Sequence, residues 1–529
     1  MEDSPAMIAT HRPALTRRLA GGLAIAALAL TSLLPAARHT RAATSHAAND
    51  TLTIGWPRET VTLDPAGPGQ NPDIWVMVNV YDQLLKVAND GNTIQPDLAT
   101  SYDISKDGKT YTFHLRPNVT FTNGMKLTSE DARFALTRAA ETKRSWAYLL
   151  TAMKSVTAPD PLTVKVTLKY PWGPFLADMS FFTCGVYPEA YFKKVGETGM
   201  VAHPIGSGPY ALQEWKKGQY LRLQKNPAYW DTAKYPMQHV EFDLLPNDNT
   251  KIVQVQGGQL DVDYDLPPSQ VAALKGSSTA QVKMDTSTQT TYFAFQTKVK
   301  PFDDVNVRQA ISHAINRAAI VKAVLYGNGT PANSFLPVGS LFYDPSLPVP
   351  SYDLALAKQF LAKSSVPKGF NMIIEVGTGG ALYGELAQVI QQELAPLGIK
   401  VTITQVDPTA LNAAQQKGNY HSVLTSWTND IPDPDELVTF AVDPIHGGAS
   451  SFFTFYSNPS VVKLNTRAEQ TNDAATRKAL YSQIQHAWAA DAPIVPLYYL
   501  PYINAVSTKV HGFSENPLGY FNLQGVTKS

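Results

Sequence analysis

The run Asp430-Ile431-Pro432-Asp433-Pro434-Asp435-Glu436 is the richest acidic cluster in the chain. Its carboxylates suggest three roles. Acid–base catalysis divides labour between a proton donor and an acceptor, and no partner residue for that division lies nearby. A ligand clamp is a second role: a carboxylate near Trp427 offers a charge and a flat apolar wall to an amine. The third is a solvated turn stiffened by its prolines, whose rings fix φ. On residue type alone the turn is the better account.

Other chemistry is sparse. Asp261, Asp263 and Asp265 alternate like the first ligands of a calcium loop, but that loop needs a glycine next and a glutamate at its end. Leu266 and Ala272 stand there instead. A strand with Leu260, Val262 and Tyr264 inward and the aspartates outward is the simpler expectation. No Gly-x-Ser-x-Gly elbow, phosphate loop or His-Glu-x-x-His pair occurs, and the 11 histidines are scattered. Gly327-Asn328-Gly329 reads as a turn. The lone Cys184 lies in the apolar stretch Phe181 to Val186 and is expected in the core. No catalytic residue, metal or cofactor is assigned, and a secreted hydrolase would need a nucleophile or paired acids that are not found.

The elements that position these residues follow from periodicity. Leu52 and Ile54; Tyr111, Phe113 and Leu115; and Leu162, Val164, Val166 and Leu168 alternate as strands do. Thr128-Ser129-Glu130-Asp131 opens a helix carrying Ala132, Ala135, Leu136 and Ala139 on one face. From Val307 to Leu325 an apolar face recurs every three or four residues, with Asn316 able to cap a second helix within it. Asn371–Val376 as strand, Leu382 to Leu397 as helix, Gly398 as its left-handed stop and Ile399 to Ile403 as strand form a β-α-β unit.

The chain has 529 residues, too many for a single hydrophobic core. Lys+Arg and Asp+Glu both number 44, so no basic field favours nucleic acid. Residues 1–48 begin with Arg12, Arg17 and Arg18, continue as an apolar run from Leu19 to Leu34, and end among alanines, the order of a secretory signal peptide. The run is short for an uncleaved anchor. No cysteine follows it to carry a lipid. Five basic and two acidic residues lie in the leader, so its removal leaves 39 against 42, a net charge near −3.

Several segments resemble the dipeptide and oligopeptide solute-binding family of ABC importers, bacterial extracellular solute-binding family five. Gln95-Pro96-Asp97-Leu98-Ala99, Tyr111 to Phe121 with Asn123-Gly124, Pro204-Ile205-Gly206-Ser207-Gly208-Pro209-Tyr210, Val307 to Ile311 with Ala314 to Arg317, and Pro493 to Tyr498 appear in the family's order. The resemblance implies an α/β, two-lobe periplasmic-binding-protein-like clamp of the cluster C type. Lobe I would span 49–297, with an inserted subdomain at about 86–199, lobe II 298–490, and 491–529 would return to lobe I. Thr291 to Gln296 and Asp491 to Tyr499 would be the hinge strands. Family peptide binders hold the ligand's amino terminus with an aspartate three residues after a tryptophan; Trp427-Thr428-Asn429-Asp430 matches, which makes Asp430 the leading ligand residue. Gly69, Gln70 and Asn71 match a segment that approaches the ligand from the first lobe. The implied function is extracytoplasmic capture of short peptides for a membrane permease by a monomer. Family members that bind a nickel chelate, haem or an oligosaccharide are the alternatives. The residue for a peptide's carboxylate is not placed.

Overall fold

The computed structural model describes residues 49–141, 143–144, 146–378, 381–445, 452–521 and 523–529. The expected signal peptide, 1–48, lies outside the described residues. Three sheets organise the rest. A seven-stranded sheet is centred on Thr51–Trp56, which runs parallel to both His239–Leu244 and Val262–Asp263. Beyond them lie Tyr502–Ser507 and Ala280–Asp285 on one side, and Tyr220–Lys225 and Tyr210–Lys216 on the other. A four-stranded antiparallel sheet, Ala99–Ile104, Thr110–Leu115, Thr163–Leu168 and Met153–Asp160, shares the first sheet's core. Its strand Thr110–Leu115 buries Tyr111, Phe113 and Leu115, the alternation expected of a half-buried strand.

The second large sheet has six strands, with Thr290–Phe295 between Ile494–Tyr499 and Ser422–Trp427. Every residue of Thr290–Phe295 is buried, because both faces are covered. Phe293 and Phe295 enter one core and Tyr292 and Ala294 the other, as the two-residue period requires. The β-α-β unit is present: Asn371–Gly377 and Lys400–Val406 pair in parallel, with helix Ala381–Leu394 between them. Gly398 ends it at φ 73°, the left-handed conformation glycine adopts freely. The apolar face of Val307 to Leu325 is two helices, Val305–Ala314 and Arg317–Ala323; Asn316 breaks it by accepting a hydrogen bond from the Ala319 amide.

Two expectations change. Asp261 and Asp263 do not face solvent: both are buried. Val262–Asp263 lies inside the sheet with helix Asp248–Gln256 against it, so each acid takes a cation, Asp263 with Lys251 at 3.0 Å and Asp261 with Lys528 at 2.9 Å. Thr290–Phe295 and Ile494–Tyr499, where the hinge was expected, are paired strands of the second sheet. The chain passes between sheets at 286–289 and 500–501, before residue 297 and after residue 490. Alternation identifies a strand but not the sheet it joins.

Candidate functional site

The strand Ser422–Trp427 ends at the edge of the second lobe's core, and the chain then leaves it for the first lobe. Trp427 packs edge-on against Phe440, with ring centroids 4.8 Å apart. Four residues later Ile431 is fully buried in the first core. Asp430 therefore stands where the two lobes meet. The acidic run is not a solvated turn. Asp430, Asp433, Asp435 and Glu436 are all buried.

Local bonds shape the loop. The Asn429 amide N–H donates to Thr288 Oγ1 at 3.2 Å, beside the crossing between sheets. Asn429 Nδ2 donates to the carbonyls of Ile431 and Asp433 at 2.6 and 2.9 Å, which folds the loop on itself. The Asp430 N–H donates to Glu436 Oε2 at 2.7 Å, and the Tyr520 hydroxyl of the first lobe donates to the Asp430 carbonyl at 2.6 Å. Thr428 is half-buried and its side chain bonds to Tyr502. Helix Asp435–Val442 carries Glu436, whose Oε1 accepts from the Tyr148 hydroxyl at 3.1 Å.

Burial pushes the Asp430 carboxyl up to about 7, opposed by a hydrogen bond from Glu436. Glu436 is driven upward by burial and then by the neighbouring Asp430 charge. Among the described residues neither acid has an ion pair. Arg477, the nearby cation, is committed to Asp433. Such a site is costly unless something cationic completes it.

The other predicted group lies apart. Gln70 caps helix Asn71–Val80 through a reciprocal pair with Asp73, and Asn71 is exposed. Gly69 fits where a Cβ would touch Phe182 at 3.1 Å. Among the described residues no hydrogen bond joins 69–71 to 427–430. A row of rings connects them: Phe182, Trp146, Tyr148, Phe440 and Trp427, each 4.8–6.1 Å from the next. Sequence reasoning did not find Tyr148, Tyr502 or Tyr520, and it quoted Glu436 without assigning it a role. Contacts this far apart in sequence, 90 residues for Tyr520 and 288 for Tyr148, leave no local signal.

Arg58 was also missed. It is exposed just past strand Thr51–Trp56, and has no ion pair among the described residues. Its charge reaches Tyr383, counteracting the upward push of burial on that phenol. The Tyr383 hydroxyl bonds Ser426 at 3.1 Å, on the strand that ends in Trp427. A cavity of about 1060 Å³ opens elsewhere, against the edge strand Tyr210–Lys216, and includes none of residues 427–430 or 69–71. Its Arg144 is already paired with Glu197 at 2.6 Å, so volume does not make it the better candidate.

Two α/β lobes joined by two crossings have the architecture of a two-lobe solute-binding clamp. The chain belongs to the bacterial extracellular solute-binding proteins, family 5, whose model matches residues 93–448. A glutathione-binding protein of Pectobacterium atrosepticum is 30% identical over 477 residues, covering 88% of this chain and 91% of the relative. The dipeptide-binding protein of Pseudoalteromonas sp. SM9913, solved with Met-Leu, superposes with a TM-score of 0.82 at 26% identity, over 90% of this chain and all of the other. The Agrobacterium binding protein AgaA, solved with agropinic acid, gives 0.80 at 26% identity, over 90% and 99%.

Proposed function

We propose that this protein is the extracytoplasmic receptor of an ABC importer, capturing short peptides with a free amino terminus between its lobes and presenting them to a membrane permease. The observation that carries the reading is Asp430: buried, without a cationic partner among the described residues, at the lobe junction and three residues beyond Trp427. In this reading Asp430 holds the ligand's ammonium, Trp427 walls the site, and Thr428 and Asn429 shape the loop. Gly69, Gln70 and Asn71 form the first-lobe rim.

Arg58 is the residue we assign to the ligand's carboxylate, since it is exposed, has no ion pair among the described residues, and its charge reaches Tyr383, whose hydroxyl bonds Ser426. The lobes close about 286–289 and 500–501, a hinge motion typical of ligand-enclosing proteins. The working unit is a monomer exported by its leader. The relatives that hold glutathione and Met-Leu support the peptide class.

Mass spectrometry of solutes released from the purified protein by mild denaturation tests the proposal. Release of short peptides with free amines is the expected result. A retained solute without an amine would overturn it.

A further inference from the structure

Asp430 and Glu436 are joined by more than proximity. The Glu436 side chain accepts the Asp430 N–H at 2.7 Å and the Tyr148 hydroxyl at 3.1 Å, so its carboxyl lies against the Asp430 loop, where burial and then the Asp430 charge push it up. Glu436 is 1% exposed and Asp430 9%. Two carboxylates this close and this buried cannot both carry charge without a counter-ion, so one proton is shared between them. Burial raises both acids, and the Asp430 charge adds to the rise at Glu436.

The surrounding groups do not relieve the pair. Tyr148 from the first lobe, and Tyr502 and Tyr520 from the C-terminal segment, are neutral phenols. Asp178, Asp433, Asp435 and Glu469 are further acids, and they gather around Arg477. That arginine is paired with Asp433 through two hydrogen bonds, and its other donors go to the Ala468 carbonyl and the Tyr481 hydroxyl. A separate feature points to a ligand. Asn429 is 3% exposed, yet its Oδ1 has no hydrogen-bond partner among the described residues. A primary ammonium has three N–H donors, and Asp430, Glu436 and Asn429 Oδ1 are three acceptors on one loop and the helix that follows it.

We propose that Glu436 is the second acid of the amine site: the empty pair holds one proton, and an incoming primary ammonium replaces it, so that binding expels a proton to solvent. The charge balances. The pair goes from one negative charge to two, the ligand brings one positive charge, and one proton leaves. This rests on the peptide reading above and adds to it a specificity residue and a proton count.

The test is calorimetry of trialanine binding to the whole mature protein, at pH 7 and pH 7.5, in two buffers of different ionisation enthalpy. The wild type should release close to one proton per peptide, and its affinity should rise about threefold between the two pH values. Glu436→Gln keeps the size and the bond to Tyr148 but leaves Asp430 without an acidic neighbour. It should release few or no protons and change affinity less than twofold over the same range. Asp430→Asn should likewise release none. Wild-type binding without proton release would overturn the inference whatever the variants do, and leave the peptide reading intact. The same proton count from Glu436→Gln as from the wild type would do so too. Absence of binding by trialanine and by glutathione would overturn both.

Discussion

Arg477 donates one hydrogen bond to each carboxylate oxygen of Asp433, at 2.6 and 2.8 Å, and both side chains are buried. Arg477 comes from the long helix Ala474–Asp491, and its Nε also donates to the Ala468 carbonyl at 3.1 Å. The pair anchors the Asp430 loop to its own lobe, while Ile431 and Tyr520 tie the same loop to the other.

Breaking that pair should therefore unsettle the fold before it touches binding. Arg477→Met leaves Asp433 charged, buried and alone, a loss of about 3–5 kcal/mol. Urea unfolding measures it. A cost below about 1 kcal/mol would mean that the loop is held by other contacts.

Closure has a steric requirement at Gly173. Its N–H donates to the Glu469 carbonyl at 2.7 Å, and an added Cβ would lie 2.5 Å from the Thr471 carbonyl oxygen and 2.9 Å from Arg477 Nε. Gly173→Val should keep both lobes folded yet oppose their approach by about 1–3 kcal/mol. Small-angle scattering with peptide should then show a larger radius of gyration than the wild type, with weaker binding. An unchanged radius and affinity would remove Gly173 from the closing surface.

Legibility divided along physical lines. Periodic elements were readable because core-facing residues repeat locally: the β-α-β unit of 371–406, the Asn316 break and the Thr128–Asp131 capping box all stand in the structure. The Trp427–Asp430 spacing was legible through resemblance alone, since a carboxylate in a proline-rich run looks like a solvated turn. Burial of that run depends on Ile431 reaching a core whose nearest other buried member in sequence, Val506, lies 75 residues on, which no window of sequence displays. The outward placement of Asp261 and Asp263 failed for a related reason. Alternation predicts one wet face, but a strand inside a covered sheet has none, and the paired lysines, Lys251 and Lys528, come from other elements.

Acidity of the first lobe should govern its stability. Burial, and then the charge of Asp97, raise the Asp82 carboxyl to about 8, although the Ser207 hydroxyl donates to it at 2.9 Å. An acid raised on folding keeps its proton where the unfolded chain has lost it. Its contribution is thus whole below about pH 4 and declines as pH rises toward 8. Asp82→Asn should reduce the stability difference between pH 5 and pH 8 by about 2–4 kcal/mol in urea titrations. An unchanged difference would place the pH dependence elsewhere.

Arg58→Ala should weaken binding of trialanine about tenfold and have much less effect on its C-terminal amide, because only the former brings a carboxylate. Equal losses for both peptides would take Arg58 out of the site. Stability should hardly change, since Arg58 is exposed.

Calorimetry of one peptide in two forms probes the lobe-junction acid most directly. Trialanine should bind the wild type, whereas N-acetyl-trialanine, which has no ammonium, should bind at least 30-fold more weakly; Asp430→Ala should lose affinity for trialanine by a similar factor, about 2–5 kcal/mol. If the acetylated peptide bound as tightly as the free one, or Asp430→Ala bound trialanine as well as the wild type, recognition of a ligand amine by Asp430 would be contradicted.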